Sequence, residues 1–105
     1  MNLFDRKCLP SSNKLEENQV KAMLQELKVD WELVDGKKIR HGFMFPDFKS
    51  LMEFVNKIAD VAEVEGHHPD IHIFYNKLVI DLSTHFAKGL TENDFIIASK
   101  IEKLI

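Results

Sequence analysis

Two pairs of short segments with alternating apolar and polar residues constrain the fold of this chain most strongly. Strict alternation over about four to eight residues is typical of a strand with one buried face, and residues that favour a tight turn separate each pair. The sequence therefore predicts two β-hairpins, and Asn76, which tolerates a positive φ angle, is expected in the second turn. In chain order, the strands and turns are 31–34, Asp35-Gly36, 39–45, 71–75, Asn76-Lys77 and 78–84.

Segments with helical spacing of apolar residues surround these hairpins and predict three helices. The first is expected over roughly 15–28. Asp47 can cap a second helix, which Gly66 ends. Thr91 can cap a third helix, with Asp94 three residues later as an imperfect capping box. The order α-β-β-α-β-β-α predicts an α+β fold, with three helices packed on one face of a four-stranded antiparallel sheet.

The length and composition indicate one ordinary globular domain. The chain has 105 residues, of which 45% are hydrophobic and 30% are charged, so it can form a single core with little stability to spare. We expect residues 14–105 to form this domain and residues 1–13, which lack periodicity, to be a flexible leader. The net charge of −3 and the scattered basic residues argue against direct binding of nucleic acid.

The single cysteine and the absence of long apolar segments bear on the compartment. Cys8 is the only cysteine, which excludes an internal disulfide and a zinc site built from several cysteines. A free thiol suits a reducing compartment. No apolar segment reaches the roughly 18 residues of a membrane span, and the N-terminus lacks the apolar core of a signal peptide. We therefore expect a cytoplasmic protein with no membrane partner.

Histidines near the second hairpin are the candidates for chemistry. His67 and His68 follow the second helix, and Pro69 favours an extended backbone at His68, so the two rings should point apart. His85 follows the returning strand, and the predicted turn pairs residues near 69 and 84 across the hairpin. We therefore expect three imidazoles to meet at the open end of the hairpin, where they suit proton transfer near neutral pH.

Other interpretations of these residues are weaker. We interpret His41 and His72 as surface or hydrogen-bonded core residues. A metal site is disfavoured, because adjacent histidines point apart and no carboxylate stands at a recognised ligand spacing. Nucleophilic catalysis is disfavoured because Ser83 and Thr84 have no nucleophile elbow around them. We expect neither a metal ion nor a cofactor.

The segment 63–94 also resembles the signature of the pterin-4a-carbinolamine dehydratase family. That pattern has an acidic residue, His-His-Pro, an aromatic residue, a histidine and an aspartate at set separations, and every position is met. The matching residues are Glu63, His67, His68, Pro69, Tyr75, His85 and Asp94. Similarity continues over about 15–104, and the leader resembles bacterial-type members. Phe86 stands where some members have a polar residue.

The resemblance implies a hydro-lyase that dehydrates a 4a-hydroxytetrahydropterin to a quinonoid dihydropterin, recycling the pterin cofactor of aromatic amino acid hydroxylases. Loss of the hydroxyl and of the N5 proton needs an acid and a base, and histidine can act as either. By position, His67 and His85 transfer protons, while His68 binds substrate or carries a second proton. The residues expected to contact or frame the substrate are Glu63, Gly66, Pro69, Ser83, Thr84, Phe86 and Asp94.

Several roles stay open at this point. Glu63 could orient an imidazole or be a solvated helix residue, and Asp94 could be only a favourable charge at a helix start. Members of this fold also act as dimerisation partners of a transcription factor or as assembly factors, so a non-catalytic binding module is the alternative function. The broad apolar arc of the second helix and the open sheet edges predict a homodimer or homotetramer.

Overall fold

The computed structural model of the protein describes residues 3–105. Its regular elements in chain order are α1 (Glu17–Glu26), β1 (Glu32–Val34), β2 (Lys38–Met44), α2 (Phe48–Glu65), β3 (Asp70–Phe74), β4 (Lys77–Leu82) and α3 (Glu92–Glu102). Short 3-10 turns lie at Leu3–Asp5 and His85–Ala87. The predicted order α-β-β-α-β-β-α and the α+β class are confirmed. Within residues 3–105, no helix combines the length and the apolar character needed to cross a bilayer.

The four strands form one sheet in the order β1-β2-β4-β3, and every neighbouring pair is antiparallel. Ile39 of β2 lies opposite Leu82 of β4, and both are fully buried. Because side chains alternate between faces along a strand, this register gathers the apolar residues of β2 and β4 on one face. The helices cover that face. The largest fully buried apolar side chains are Ile39, Leu51, Ile58, Leu78, Ile80, Leu82, Leu90, Phe95, Ile96, Ile97 and Ile101.

The second hairpin turns one residue earlier than predicted. Phe74 pairs with Lys77, so Tyr75 and Asn76 form the turn, and the positive φ of 53° falls on Tyr75 rather than on Asn76. The backbone N–H of Phe45 donates to the carbonyl of Asn76 at 2.9 Å, a contact from outside the hairpin. The predicted pairing of residues near 69 and 84 is accordingly wrong, because the register places Asp70 opposite Asp81.

The ends of α2 follow the local sequence. The Asp47 carboxylate accepts the backbone N–H of Ser50 at 2.7 Å, as expected of an N-cap. Gly66 ends the helix in the left-handed region, with φ of 70°, and its N–H donates to the Ala62 carbonyl. A residue without a side chain adopts this conformation at little cost. This turn redirects the chain from the helix into His67 and His68.

The segment 3–13, predicted as a flexible leader, lies against α2 and α3. Leu3 is 2% exposed and belongs to the core. The backbone N–H of Cys8 donates to Glu65 of α2 at 2.8 Å, and Leu9 exchanges two hydrogen bonds with the Asn93 side chain of α3. Flexibility of the leader in solution stays a prediction, and its first two residues lie outside the described residues. We refer to residues 3–13 as the N-terminal segment.

Candidate active site

His67 and Asp94 form a close pair from two distant parts of the chain. His67 follows the turn at Gly66, and Asp94 lies in the first turn of α3. The Nε2 atom of His67 is 2.6 Å from Oδ1 of Asp94. The Asp94 side chain is fully buried and that of His67 is 12% exposed. A carboxylate can only accept, so Nε2 carries the proton and Nδ1 is the ring atom available for chemistry.

The second oxygen of the Asp94 carboxylate is also occupied. Oδ2 accepts the hydroxyl of Thr84 at 2.8 Å and the backbone N–H of Thr91 at 3.0 Å. The bond from Thr91 belongs to the capping box at the start of α3, so the capping box that the sequence predicts is present. Asp94 therefore caps the helix and holds an imidazole at the same time. Both oxygens of this buried carboxylate are therefore hydrogen-bonded.

His68 points to another partner. Its Nε2 atom lies 2.5 Å from Oε2 of Glu63, and both side chains are largely exposed. Contact with an imidazole is one of the two roles considered for Glu63, and the imidazole that it contacts is that of His68. Because both groups face water, this pair adds little to stability. It leaves the His68 ring near the helix end and within reach of solvent.

His85 begins the 3-10 turn His85–Ala87 and is exposed. Within residues 3–105 it makes no side-chain hydrogen bond, and no ring contact joins it to His67 or His68. Its link to His67 passes through its neighbour Thr84, whose hydroxyl contacts Asp94. The side chain of Phe86, which is 62% exposed, follows directly. The structure thus ties His67 to the segment that carries His85 without bringing the rings into contact.

The remaining predicted site residues have simpler surroundings. Gly66 and Pro69 flank the two histidines, and Ser83 is half-buried between β4 and Thr84. Both backbone groups of Thr84 are already bonded within the chain, since its N–H donates to the Gly89 carbonyl at 2.8 Å and its carbonyl accepts from Gly89 and Ala87. Thr84 therefore takes part in the site through its side chain.

Two histidines lie apart from this cluster, as the sequence suggested. His41 of β2 bonds the carbonyl of Asp30 through Nδ1 at 2.9 Å, and its ring packs on Phe43. His72 of β3 lies 3.4 Å from the Asp81 carboxylate. Across the described part of the chain, no group of three or more histidine, cysteine, aspartate or glutamate side chains is arranged to hold a metal ion.

Sequence reasoning missed the role of the threonines. It predicted Thr84 as a residue that contacts or frames the substrate and Thr91 as a helix cap, whereas the hydroxyl of Thr84 and the N–H of Thr91 both bind the carboxylate beside His67. The pattern of a threonine three residues before Asp94 was visible as a capping box. The contact from Thr84 depends on tertiary structure and has no local signal.

Comparison with known proteins identifies the family. A sequence profile of the family described as pterin 4 alpha carbinolamine dehydratase matches residues 13–104. This chain belongs to that family. A dehydratase of this name from Chromobacterium violaceum is 44% identical over 106 residues, covering 99% of this chain and 96% of the relative. Another, from Rickettsia bellii, is 40% identical over 106 residues, covering 98% and 94%.

Solved structures of pterin dehydratase relatives have the same fold. A crystal structure from Brucella melitensis, described as a transcriptional coactivator/pterin dehydratase, matches with a TM-score of 0.82 at 34% identity, covering 88% of this chain and 98% of the other. A pterin dehydratase-like protein, described as a RuBisCO assembly factor in the alpha-carboxysome, matches with a TM-score of 0.60 at 20% identity, covering 70% and 87%. The second likeness concerns the fold alone.

Proposed function

We propose that this protein is a hydro-lyase that converts a 4a-hydroxytetrahydropterin to a quinonoid dihydropterin and water. The single observation that carries the proposal is the His67–Asp94 pair, with Nε2 and Oδ1 2.6 Å apart, inside a chain that meets the whole family signature. The family match over residues 13–104 and the names of the relatives support the same reaction.

The reaction breaks the C4a–O bond and the N5–H bond and forms a C4a=N5 double bond. The departing hydroxyl must gain a proton to leave as water, and N5 must lose one, so the site needs an acid and a base. His67, with Nε2 committed to Asp94, can exchange a proton through Nδ1. We assign the second proton transfer to His85, whose exposed ring has no competing partner within residues 3–105. The net change is the loss of one water molecule.

His68 suits a binding role or that of a second proton carrier. Its ring is exposed, and its contact with Glu63 fixes one of its two nitrogens. Gly66, Pro69 and Ser83 frame the histidines, and the exposed ring of Phe86 offers an apolar surface for the pterin or its side chain. These contacts are consistent with a flat substrate that lies between the end of α2 and the 3-10 turn at His85–Ala87.

Histidine variants test this function. We expect His67→Ala and His85→Ala each to lower turnover by about 10²- to 10⁴-fold, because each removes a proton carrier, and His68→Ala mainly to raise KM. His41→Ala and His72→Ala serve as controls and should retain turnover. The assay follows quinonoid dihydropterin formation from the carbinolamine, with a chelator present, using variants shown to be folded by circular dichroism.

Three results would contradict the proposal or its placement of the site. If the wild-type protein does not accelerate dehydration, the protein is not a dehydratase. If chelator abolishes activity and zinc restores it, the reaction does not run on histidines alone. A folded His72→Ala variant as slow as His85→Ala would show that the site is elsewhere.

A non-catalytic function as a dimerisation or assembly factor is the second candidate. It is favoured by the Brucella melitensis structure, whose description combines a coactivator with a dehydratase. A wild-type protein and histidine variants that all fail to accelerate dehydration would support this candidate over the enzyme. We also infer that the protein recycles the pterin cofactor of aromatic hydroxylases in the cytoplasm. The free Cys8 thiol is consistent with this compartment.

We infer further that the protein is a homodimer or homotetramer. β3 is an edge strand that ends at Ile73 and Phe74, which are 38% and 61% exposed, and Tyr75 in the following turn is 68% exposed. An open edge with apolar side chains favours strand pairing with another copy. Light scattering should give a mass well above the 12.2 kDa of one chain, and a stable monomer would contradict this inference.

A further inference from the structure

The two threonines of this chain contact each other in the interior. Thr84 and Thr91 are 1% and 0% exposed, and their hydroxyl oxygens are 2.8 Å apart. Neither is part of a regular strand or helix, since Thr84 follows β4 and Thr91 precedes α3. Two hydroxyl oxygens at this distance are joined by a hydrogen bond, in which one hydroxyl donates its proton and the other accepts it.

The direction of this hydrogen bond follows from Asp94. The hydroxyl of Thr84 also lies 2.8 Å from Oδ2 of Asp94, and an ionised carboxylate can only accept. Thr84 has one hydroxyl proton, which it gives to the carboxylate, so Thr91 must be the donor to Thr84. The result is a directed chain from the Thr91 hydroxyl through Thr84 to Asp94, whose other oxygen holds His67.

We propose that Thr84 is a positioning residue for His67, an inference that rests on the proposed dehydratase function. Rotation about the last bond of an aspartate side chain is soft, so a carboxylate held at one oxygen could turn away from its partner. The Thr84 hydroxyl and the Thr91 N–H fix Oδ2, which points Oδ1 at Nε2 of His67. The ring is thereby held in the tautomer that leaves Nδ1 free for proton transfer.

Thr84 also sets where His85 lies relative to that ring. Its N–H and carbonyl pair with Gly89 and close the loop that contains His85. Thr84 thus holds the Asp94 carboxylate through its side chain. Through its backbone, it also holds the turn that carries His85. Of these two anchors, only the first needs the hydroxyl, which makes the side chain separately testable.

The test compares Thr84→Val with Thr84→Ser. Valine has the shape of threonine but no hydroxyl, and we expect turnover to fall by about 10- to 100-fold, by analogy with the loss of residues that hydrogen-bond to metal-binding histidines. Serine keeps the hydroxyl and should retain most of the wild-type turnover. Ser99→Ala removes another buried hydroxyl of α3, one that donates to the Ile96 carbonyl, and should leave turnover unchanged.

A second readout separates this inference from the proposed function. Ring ¹⁵N chemical shifts report which nitrogen of His67 carries the proton. We expect a single Nε2–H tautomer in the wild type and in Thr84→Ser, and a mixture in Thr84→Val. If the wild type does not dehydrate the carbinolamine, the proposed function fails, and the shifts still decide whether Thr84 positions the ring.

Two outcomes overturn the inference. One is a folded Thr84→Val protein with wild-type turnover and wild-type His67 shifts. The other applies if the Thr84→Val protein does not fold. Thr84→Ser then carries the test, and a folded serine variant with a mixed His67 tautomer or strongly reduced turnover would show that the hydroxyl is not what positions the ring.

Discussion

Replacement of Asn93 by alanine should weaken the attachment of the N-terminal segment to α3. The Asn93 side chain is 3% exposed and makes three hydrogen bonds to this segment. Its Oδ1 atom accepts the N–H of Leu9 at 2.9 Å and the hydroxyl of Ser12 at 3.0 Å, and its Nδ2 donates to the Leu9 carbonyl at 2.7 Å. Alanine removes all three bonds and introduces no new group.

The expected cost follows from these contacts. A neutral hydrogen bond contributes a net of about 0.5–1.5 kcal/mol, so three bonds contribute roughly 1.5–4.5 kcal/mol. Leu9 is 63% exposed, and water can therefore replace part of what its backbone loses. We expect a fall of about 2 kcal/mol in the free energy of unfolding, or roughly 8–16 °C in melting temperature for a domain of this size.

Thermal and urea denaturation monitored by circular dichroism would measure this change. Asn56→Ala is the matched control, because Asn56 is an exposed residue of α2 whose side chain makes no hydrogen bond within residues 3–105. That variant should melt like the wild type. If Asn93→Ala and Asn56→Ala have the same melting temperature, the three hydrogen bonds of Asn93 do not stabilise the domain.

Three further predictions concern charged and titratable groups. In Asp94→Asn, the amide oxygen would keep the former donors of Oδ2 and turn its NH₂ toward His67, so we expect the reversed tautomer and turnover lower by about 10²- to 10⁴-fold; unchanged ring ¹⁵N shifts would contradict this. Burial raises the pKa of the Cys8 thiol to about 12, so iodoacetamide should modify the folded protein far more slowly than the urea-unfolded protein, and equal rates by mass spectrometry would count against burial. The Arg40 guanidinium donates to Asp81 and holds the pKa of that carboxyl below its ordinary value. This stabilisation is present above the unfolded pKa of about 3.9 and is lost as the pH falls through the folded value, so the stability gap between wild type and Asp81→Asn should close in acid; a constant gap would refute it.

Local chemistry made much of the fold predictable from the sequence. Asp47 and Gly66 lie at the two ends of α2 as expected, because N-caps and left-handed backbone conformations at helix ends depend on the residue type itself. The turn at Tyr75 was not predictable in the same way. Its positive φ falls on an aromatic residue, which rarely adopts it, and the strand register that requires it includes a contact between Phe45 and Asn76.

The candidate site likewise has parts that local sequence predicts and parts that it does not. The histidines and Asp94 stand out as residue types at recognisable separations, and the capping box at Thr91 is local. The hydrogen bond from Thr84 to Asp94 and the docking of the N-terminal segment are long-range contacts between side chains and backbone. No periodicity records such contacts, which is why residues 1–13 were expected to be flexible.

The position of Asp94 in the last helix has a consequence for how the protein is made. During synthesis, all five histidines leave the ribosome before α3 does. At that stage His67 lacks the Asp94 carboxylate, and the N-terminal segment lacks the Asn93 side chain that bonds Leu9. Contacts that close long loops form late in folding, because the chain loses conformational entropy on closing the loop before the contact contributes any stabilisation. A nascent or truncated chain without α3 would carry all five histidines yet leave His67 without the Asp94 carboxylate, so the proposed site would be complete only after α3 has been made.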